Sequence, residues 1–129
     1  MKKYLYLLVG LTIISCSKDD DSPDENGRTT DPLIGTWIQS DEEYGESGTA
    51  IVNSNGSYSV SWVYRDSPED NDSFSGTWSN RGSDFNSTTQ IYDFTNNTDG
   101  ENYTETVNYS ADFNSHWETG YPEDAWTRQ

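Results

Sequence analysis

Carboxylates are the most abundant reactive groups in this chain, so their spacing decides which chemistry is open to it. Asp and Glu number 23 of 129 residues, against seven Lys and Arg and one histidine, His116. So many acids make some close pair inevitable, and a glycosidase-like pair therefore carries no information in the sequence. His116 and Glu118 stand two residues apart, which on a strand puts them on one face without completing a nucleophile, base and orienting acid. The run Asp66-Ser67-Pro68-Glu69-Asp70-Asn71-Asp72 offers oxygen ligands of the kind Ca²⁺ takes. It lacks the spacing and central glycine of an EF-hand loop and reads as a solvated loop. The lone cysteine, Cys16, excludes an internal disulfide and a cysteine-rich metal site. No enzymatic activity, cofactor or metal is expected.

The formal charge is −16. A chain this acidic is repelled by phosphate backbones, which excludes nucleic acid as a partner.

The first segment addresses the chain. Lys2 and Lys3 precede a largely apolar run over residues 4–14, and Ile13-Ile14-Ser15-Cys16 follows. The run is shorter than the roughly 20 residues needed to cross a bilayer. With a small residue just before the cysteine, the segment resembles the lipobox of bacterial lipoproteins. That resemblance implies a signal peptide at residues 1–15, lipidation of Cys16 after cleavage and a membrane partner through the lipid. Two or three acyl chains anchor stably, at about 0.8 kcal/mol per buried methylene. Ser17-Lys18-Asp19-Asp20-Asp21 resembles the surface-export signal of Bacteroidota lipoproteins, which implies the outer membrane and exposure at the cell surface. Residues 16–32, rich in Asp, Ser, Pro and Asn without apolar periodicity, read as the lipidated cysteine and a flexible acidic tether.

The remainder, residues 33–129, must make one domain. From Cys16 on, Leu, Ile, Val and Phe number 13 of 114 residues, a proportion typical of disordered chains. Against that stand five Trp and seven Tyr in the same stretch, each able to bury about 150–250 Å². They recur with period two, the strand period. Asn55-Gly56 separates residues 49–52 from 58–64 and signals a two-residue hairpin turn. That loop would set Ile51 opposite Val60, with Tyr58, Trp62 and Tyr64 on one face and Ser59 and Ser61 on the other. Asp99-Gly100 permits a second hairpin, pairing Tyr103 with Asn96, Glu105 with Phe94 and Val107 with Tyr92. Its second strand is predicted to run over 103–113, with Glu105 interrupting an apolar face that also holds Tyr109. Further strands are predicted at 33–40, 73–79, 87–95 and 123–129. Seven or eight short strands linked by turns suit an antiparallel up-and-down barrel, because closure removes sheet edges.

The order Leu33-Ile34-Gly35-Thr36-Trp37, Asn55-Gly56-Ser57-Tyr58 and Ser75-Gly76-Thr77-Trp78 resembles the lipocalin-like lipoproteins of Bacteroidota, over residues 33–129. The resemblance implies that Gly35 and Trp37 close the barrel base, that Trp78 repeats the motif, and that a basic residue of the last strand, here Arg128, packs on Trp37. It further implies a non-enzymatic module that is either filled by its aromatics or holds a small apolar or amphipathic ligand. Tyr58, Trp62, Tyr64, Tyr92, Phe94, Glu105 and Tyr109 would line such a cavity. The alternative is recognition of a surface glycan or protein through Trp117, Tyr121 and Trp126. Nothing in the sequence bears on oligomeric state.

Overall fold

The structure, a computed structural model, describes residues 27–129. The segment expected to be a signal peptide, Cys16 and the lead up to residue 26 lie outside the described residues.

The described chain is all β. Its strands are β1 (Gly35–Asp41), β2 (Glu46–Val52), β3 (Ser57–Tyr64), β4 (Asp72–Asn80), β5 (Thr89–Asn96), β6 (Asn102–Tyr109), β7 (Ser115–Glu118) and β8 (Trp126–Arg128). Each pairs antiparallel with the next, and β8 returns to β1, closing an up-and-down barrel of eight strands. Closure is thin on one side: β1 and β8 share only Trp37↔Arg128 and Ile38↔Thr127.

Strand alternation puts the aromatics inside. On β3, Tyr58 is buried and Val60, Trp62 and Tyr64 are half-buried, whereas Ser59, Ser61 and Val63 are exposed. Tyr92 and Phe94 on β5, Val107 and Tyr109 on β6, and Trp37 on β1 complete the core with Leu33, Val52 and Phe113. Rings take up the work that aliphatic side chains do in most barrels. Tyr58 meets Phe94 edge-on at 5.4 Å, Trp78 meets Tyr92 at 5.9 Å, and Phe94 stacks on Tyr103 at 5.3 Å. Such pairs add roughly 0.5–1.5 kcal/mol each beyond area burial.

Both hairpins differ in register from the two-residue expectation. At the first, Gly56 N–H donates to Asn53 O (3.1 Å), Asn53 N–H to Ser57 O (2.9 Å), and Gly56 takes φ 85°. This is a turn followed by a left-handed glycine, one residue longer than the expected loop. The partner register moves by one, so Val60 faces Ala50 and Ile51 faces Ser59. A one-residue slip exchanges faces, and Ile51 accordingly lies outside, 43% exposed, while Val52 is in the core. At the second, Asn96 N–H donates to Glu101 O and Gly100 N–H to Asn96 O, both at 2.8 Å, closing a four-residue loop. The register moves by two: Tyr103 faces Phe94, Glu105 faces Tyr92, and Val107 faces Gln90. A shift of two keeps every side chain on its predicted face.

The segment expected as one strand over 103–113 is broken. β6 stops at Tyr109, and a turn held by Phe113 N–H to Ser110 O and Ser110 N–H to Ser115 O, both 2.9 Å, leads into β7. Phe113 turns its ring into the core from a left-handed backbone, φ 57°, a conformation that costs a non-glycine residue about 1–2 kcal/mol. The last strand is likewise shorter than 123–129, because Pro122–Asp124 forms a 3-10 turn.

Candidate functional site

Consecutive antiparallel strands give the barrel two ends of different character. At the end where β1 begins and β2 finishes, the base, the chain enters through residues 27–34. Asp31, Pro32 and Leu33, two of which the sequence reading assigned to the tether, are buried there. Asp31 accepts the Leu33 N–H (2.9 Å) and the Tyr92 hydroxyl (2.8 Å) on Oδ1, and the Asn80 amide (2.8 Å) on Oδ2. Tyr92 spends its proton on Asp31, so the Tyr109 hydroxyl, 2.9 Å away, donates to Tyr92. Asn80 also donates to Gln90 (3.0 Å), whose amide reaches the carbonyls of Asp84 (2.7 Å) and Ser87 (2.8 Å). Burial, and then its neighbours Tyr109 and Asp31, hold the Tyr92 phenol far above the ordinary range. The phenol stays protonated and structural.

Gly35, Trp37 and Arg128 meet at this end. Trp37 is fully buried and donates its Nε1–H to Leu33 O (2.8 Å). The Arg128 guanidinium lies over its ring, 4.3 Å from Cζ to centroid, and donates to the carbonyls of Pro32 (2.6 Å), Ile34 (2.9 Å) and Phe113 (3.3 Å). Gly35, at φ 144°, leaves room for it: a Cβ there would stand 2.6 Å from Arg128 Nη1. Trp78 sits on β4 against Tyr92 and donates Nε1–H to Asn53 O (3.1 Å). An open hollow of about 540 Å³ beside it is lined by Asp31, Ile34, Asn80 and Phe85 among others.

The opposite end, the mouth, is built otherwise. Trp62 of β3 and Trp126 of β8 meet edge-on at 5.4 Å across Gly48 of β2. Any Cβ at Gly48 would lie 2.8 Å from Trp126 and 2.9 Å from Trp62. Tyr64 lies beyond Trp62 on the same face of β3, half-buried. Below these rings, His116 stacks on Trp126 (6.4 Å) and meets Trp37 edge-on (4.3 Å). Burial, reinforced by the Arg128 charge, lowers its pKa to about 4, so the imidazole is neutral at physiological pH.

Glu105 faces inward on β6 between Tyr103 and Val107, half-buried. Tyr103 offers it no bond; its hydroxyl lies 3.2 Å from that of Tyr58. Glu105 has no hydrogen-bond or ion-pair partner among the described residues. Burial, then the charge of Glu118, raises its pKa to about 7. Glu118 sits diagonal to it, paired with Val107 on the neighbouring strand.

Of the positions predicted to line a cavity, Tyr58, Trp62, Tyr64, Tyr92, Phe94, Glu105 and Tyr109 all lie on the inner face. Tyr92 and Tyr109 belong to the bonded base, Tyr92 is also the cross-strand partner of Glu105, and Tyr58 and Tyr103 pack on Phe94. The C-terminal aromatics do not form one platform. Trp126 points inward, Trp117 alternates outward from His116 and Glu118 on β7, and Tyr121 is 54% exposed in the turn after it. Sequence reasoning missed Asp31, hidden in an acidic lead, and Gly48, whose only signal is a small residue in a strand of inward-facing positions. Among the described residues, no group of three or more His, Cys, Asp or Glu is placed to hold a metal ion.

Family models, curated proteins and solved structures yield no match to this chain. The eight-stranded antiparallel barrel is compatible with a lipocalin-like fold.

Proposed function

We propose that this chain is a lipid-anchored outer-membrane protein whose barrel binds a small amphipathic ligand through its mouth and catalyses no reaction. The observation that carries the reading is Glu105, a carboxylate on the inner face of an aromatic barrel with no partner among the described residues. A half-buried polar group without a partner is costly to the fold. Binding pockets are mostly apolar with a few such polar groups that orient the ligand. At the base, by contrast, Asp31, Asn80, Gln90, Tyr92 and Tyr109 are bonded to one another, although the buried Arg28 Nε there has no hydrogen-bond partner among the described residues. Residues 27–34 enter at the base, so a tether from Cys16 would join the barrel at the end opposite the mouth.

The test is a screen of neutral, anionic and cationic amphipaths against the full chain, followed by Trp fluorescence, with mass spectrometry of the chain extracted from membranes. A saturable change in fluorescence and an acylated Cys16 are expected. An unmodified Cys16 would overturn the anchoring, and a panel in which nothing binds would overturn the ligand-binding reading.

A further inference from the structure

We infer that the open hollow at the barrel base is a second binding site, and that its ligand is a neutral saccharide. The site lies at the end opposite the mouth and stands independently of the reading above.

Three observations carry it. First, the hollow has the size of a small-molecule site and walls that are already fixed. It measures about 540 Å³, within the range of roughly 300–1,000 Å³ usual for such sites. The segment before β1, the β2–β3 turn, the end of β4 and the loop after it meet around it. Trp78 is held by its Nε1–H on Asn53 O (3.1 Å) and by Tyr92 (5.9 Å). Asn80 is held by Asp31 (2.8 Å), Gln90 (3.0 Å) and the Gly82 N–H (2.8 Å). Side chains held in place ahead of binding need no further ordering when a ligand enters.

Second, the lining combines aromatic surface with uncharged polar groups. Trp78, Phe85 and Ile34 line the hollow and are half-buried. The faces of aromatic rings are electron-rich and attract the weakly positive C–H groups of a sugar ring. Thr29, Thr30, Ser54 and Ser79 also line it, and none of their hydroxyls is bonded to another of the described residues. Asn55 spends its oxygen on Ser57 (3.0 Å to N, 2.7 Å to Oγ) and keeps its amide hydrogens free. A hydroxyl both donates and accepts, so this lining can bond the hydroxyls of a sugar in either sense.

Third, Asp31 is the only charged residue among the described residues that line the hollow, and its charge is already stabilised. It accepts the Leu33 N–H and the Tyr92 hydroxyl on Oδ1 and the Asn80 amide on Oδ2. A carboxylate has about four lone-pair sites, so Oδ2 retains a place for one more donor. Neutral donors hold the charge without a cation, and the remaining place suits a neutral hydroxyl. An acidic sugar would be repelled by Asp31 and by the chain's formal charge of −16. A purely apolar ligand would cover the free hydroxyls and the Asn55 amide without bonding them.

The experiment follows the indole N–H resonances of the nitrogen-labelled full chain, assigned by the variants Trp62→Phe, Trp78→Phe and Trp126→Phe. Cellobiose, maltose and diacetylchitobiose are titrated singly, with benzyltrimethylammonium as the charged comparison. At least one of these sugars is expected to shift the Trp78 resonance saturably while those of Trp62 and Trp126 stay in place. Phe85→Ala removes part of the aromatic lining, and Ser54→Arg crowds the hollow from an exposed turn. Each should weaken that sugar by roughly tenfold, and thermal melts establish that the variants fold. A Trp78 resonance that none of these sugars moves would overturn the inference. So would a shift confined to Trp62 and Trp126, which places binding at the mouth, or a tighter response to benzyltrimethylammonium, which makes the hollow an amine site. Unchanged sugar affinity in the folded variants would likewise remove the site from the hollow.

Discussion

Arg128 covers Trp37 at 4.3 Å and donates to three carbonyls, two in the entering segment just before β1 and one in the turn before β7. The β1–β8 seam, with two paired positions, is therefore closed by a side chain as much as by backbone pairing. Lysine retains the charge but not the planar fork that serves several acceptors at once. Arg128→Lys is expected to destabilise the fold by about 2–3 kcal/mol, from lost charged hydrogen bonds and ring contact. Urea unfolding followed by Trp fluorescence measures this, and a loss under 0.5 kcal/mol, the range of ordinary surface changes, would contradict it.

Glu105 and His116 make opposite demands on pH. The Glu105 pKa is raised from 4.5 to about 7. Between those values the folded chain keeps a proton that the unfolded chain has lost. Its contribution to stability is full below pH 4.5 and falls as pH rises towards 7. The His116 pKa is lowered from 6.5 to about 4. Its contribution is full above pH 6.5 and is lost as pH falls towards 4. The two dependences overlap from pH 4.5 to 6.5 and oppose each other there. Relative to wild type, Glu105→Gln should lose stability on acidification through this window, and His116→Phe should gain it. Each effect is of order 1–2 kcal/mol after discounting for solvent screening. Glu118 and Tyr103 facing Glu105, and Arg128 near His116, are common to all three proteins. Urea midpoints at pH 4.5, 5.5 and 6.5 would refute the assignment if both variants ran parallel to wild type.

Gly48 sets the distance between two indoles. Gly48→Val places a branched side chain where Trp62 and Trp126 already lie within 3 Å of a Cβ. Overpacking of this kind costs roughly 1–3 kcal/mol. The rings are expected to separate, giving a red-shifted Trp emission and a lower melting temperature. An unaltered emission maximum would mean that the edge-on pair does not form.

The legible part of this fold was the part governed by period two. Tyr58, Trp62, Tyr92, Phe94 and Tyr109 lie on the inner face because alternation is a property of each strand alone. Register is a property of a loop, and Asn53 and Asn96 each extend their loop by hydrogen bonds that a Gly-containing pair does not announce. β7 was not legible: its four residues follow a turn that depends on Phe113 adopting a left-handed backbone, which sequence does not favour. Asp31 escaped notice because its partners Asn80 and Tyr92 are 49 and 61 residues away. Glu105 was legible as an exception on an apolar face. The absence of a counter-charge around it among the described residues depended on where four arginines fell.

The attachment of residues 31–34 has a mechanical side. Asp31 is bonded to β4 and β5, and the carbonyls of Pro32 and Ile34 to Arg128 of β8. Tension on the preceding chain is therefore spread over three strands distant in sequence before it reaches the first ladder pair of β1. Those bonds lie in parallel, so no one of them carries the whole load. A barrel pulled through this segment would resist peeling at the point where a strand barrel is otherwise easiest to unzip, its first strand.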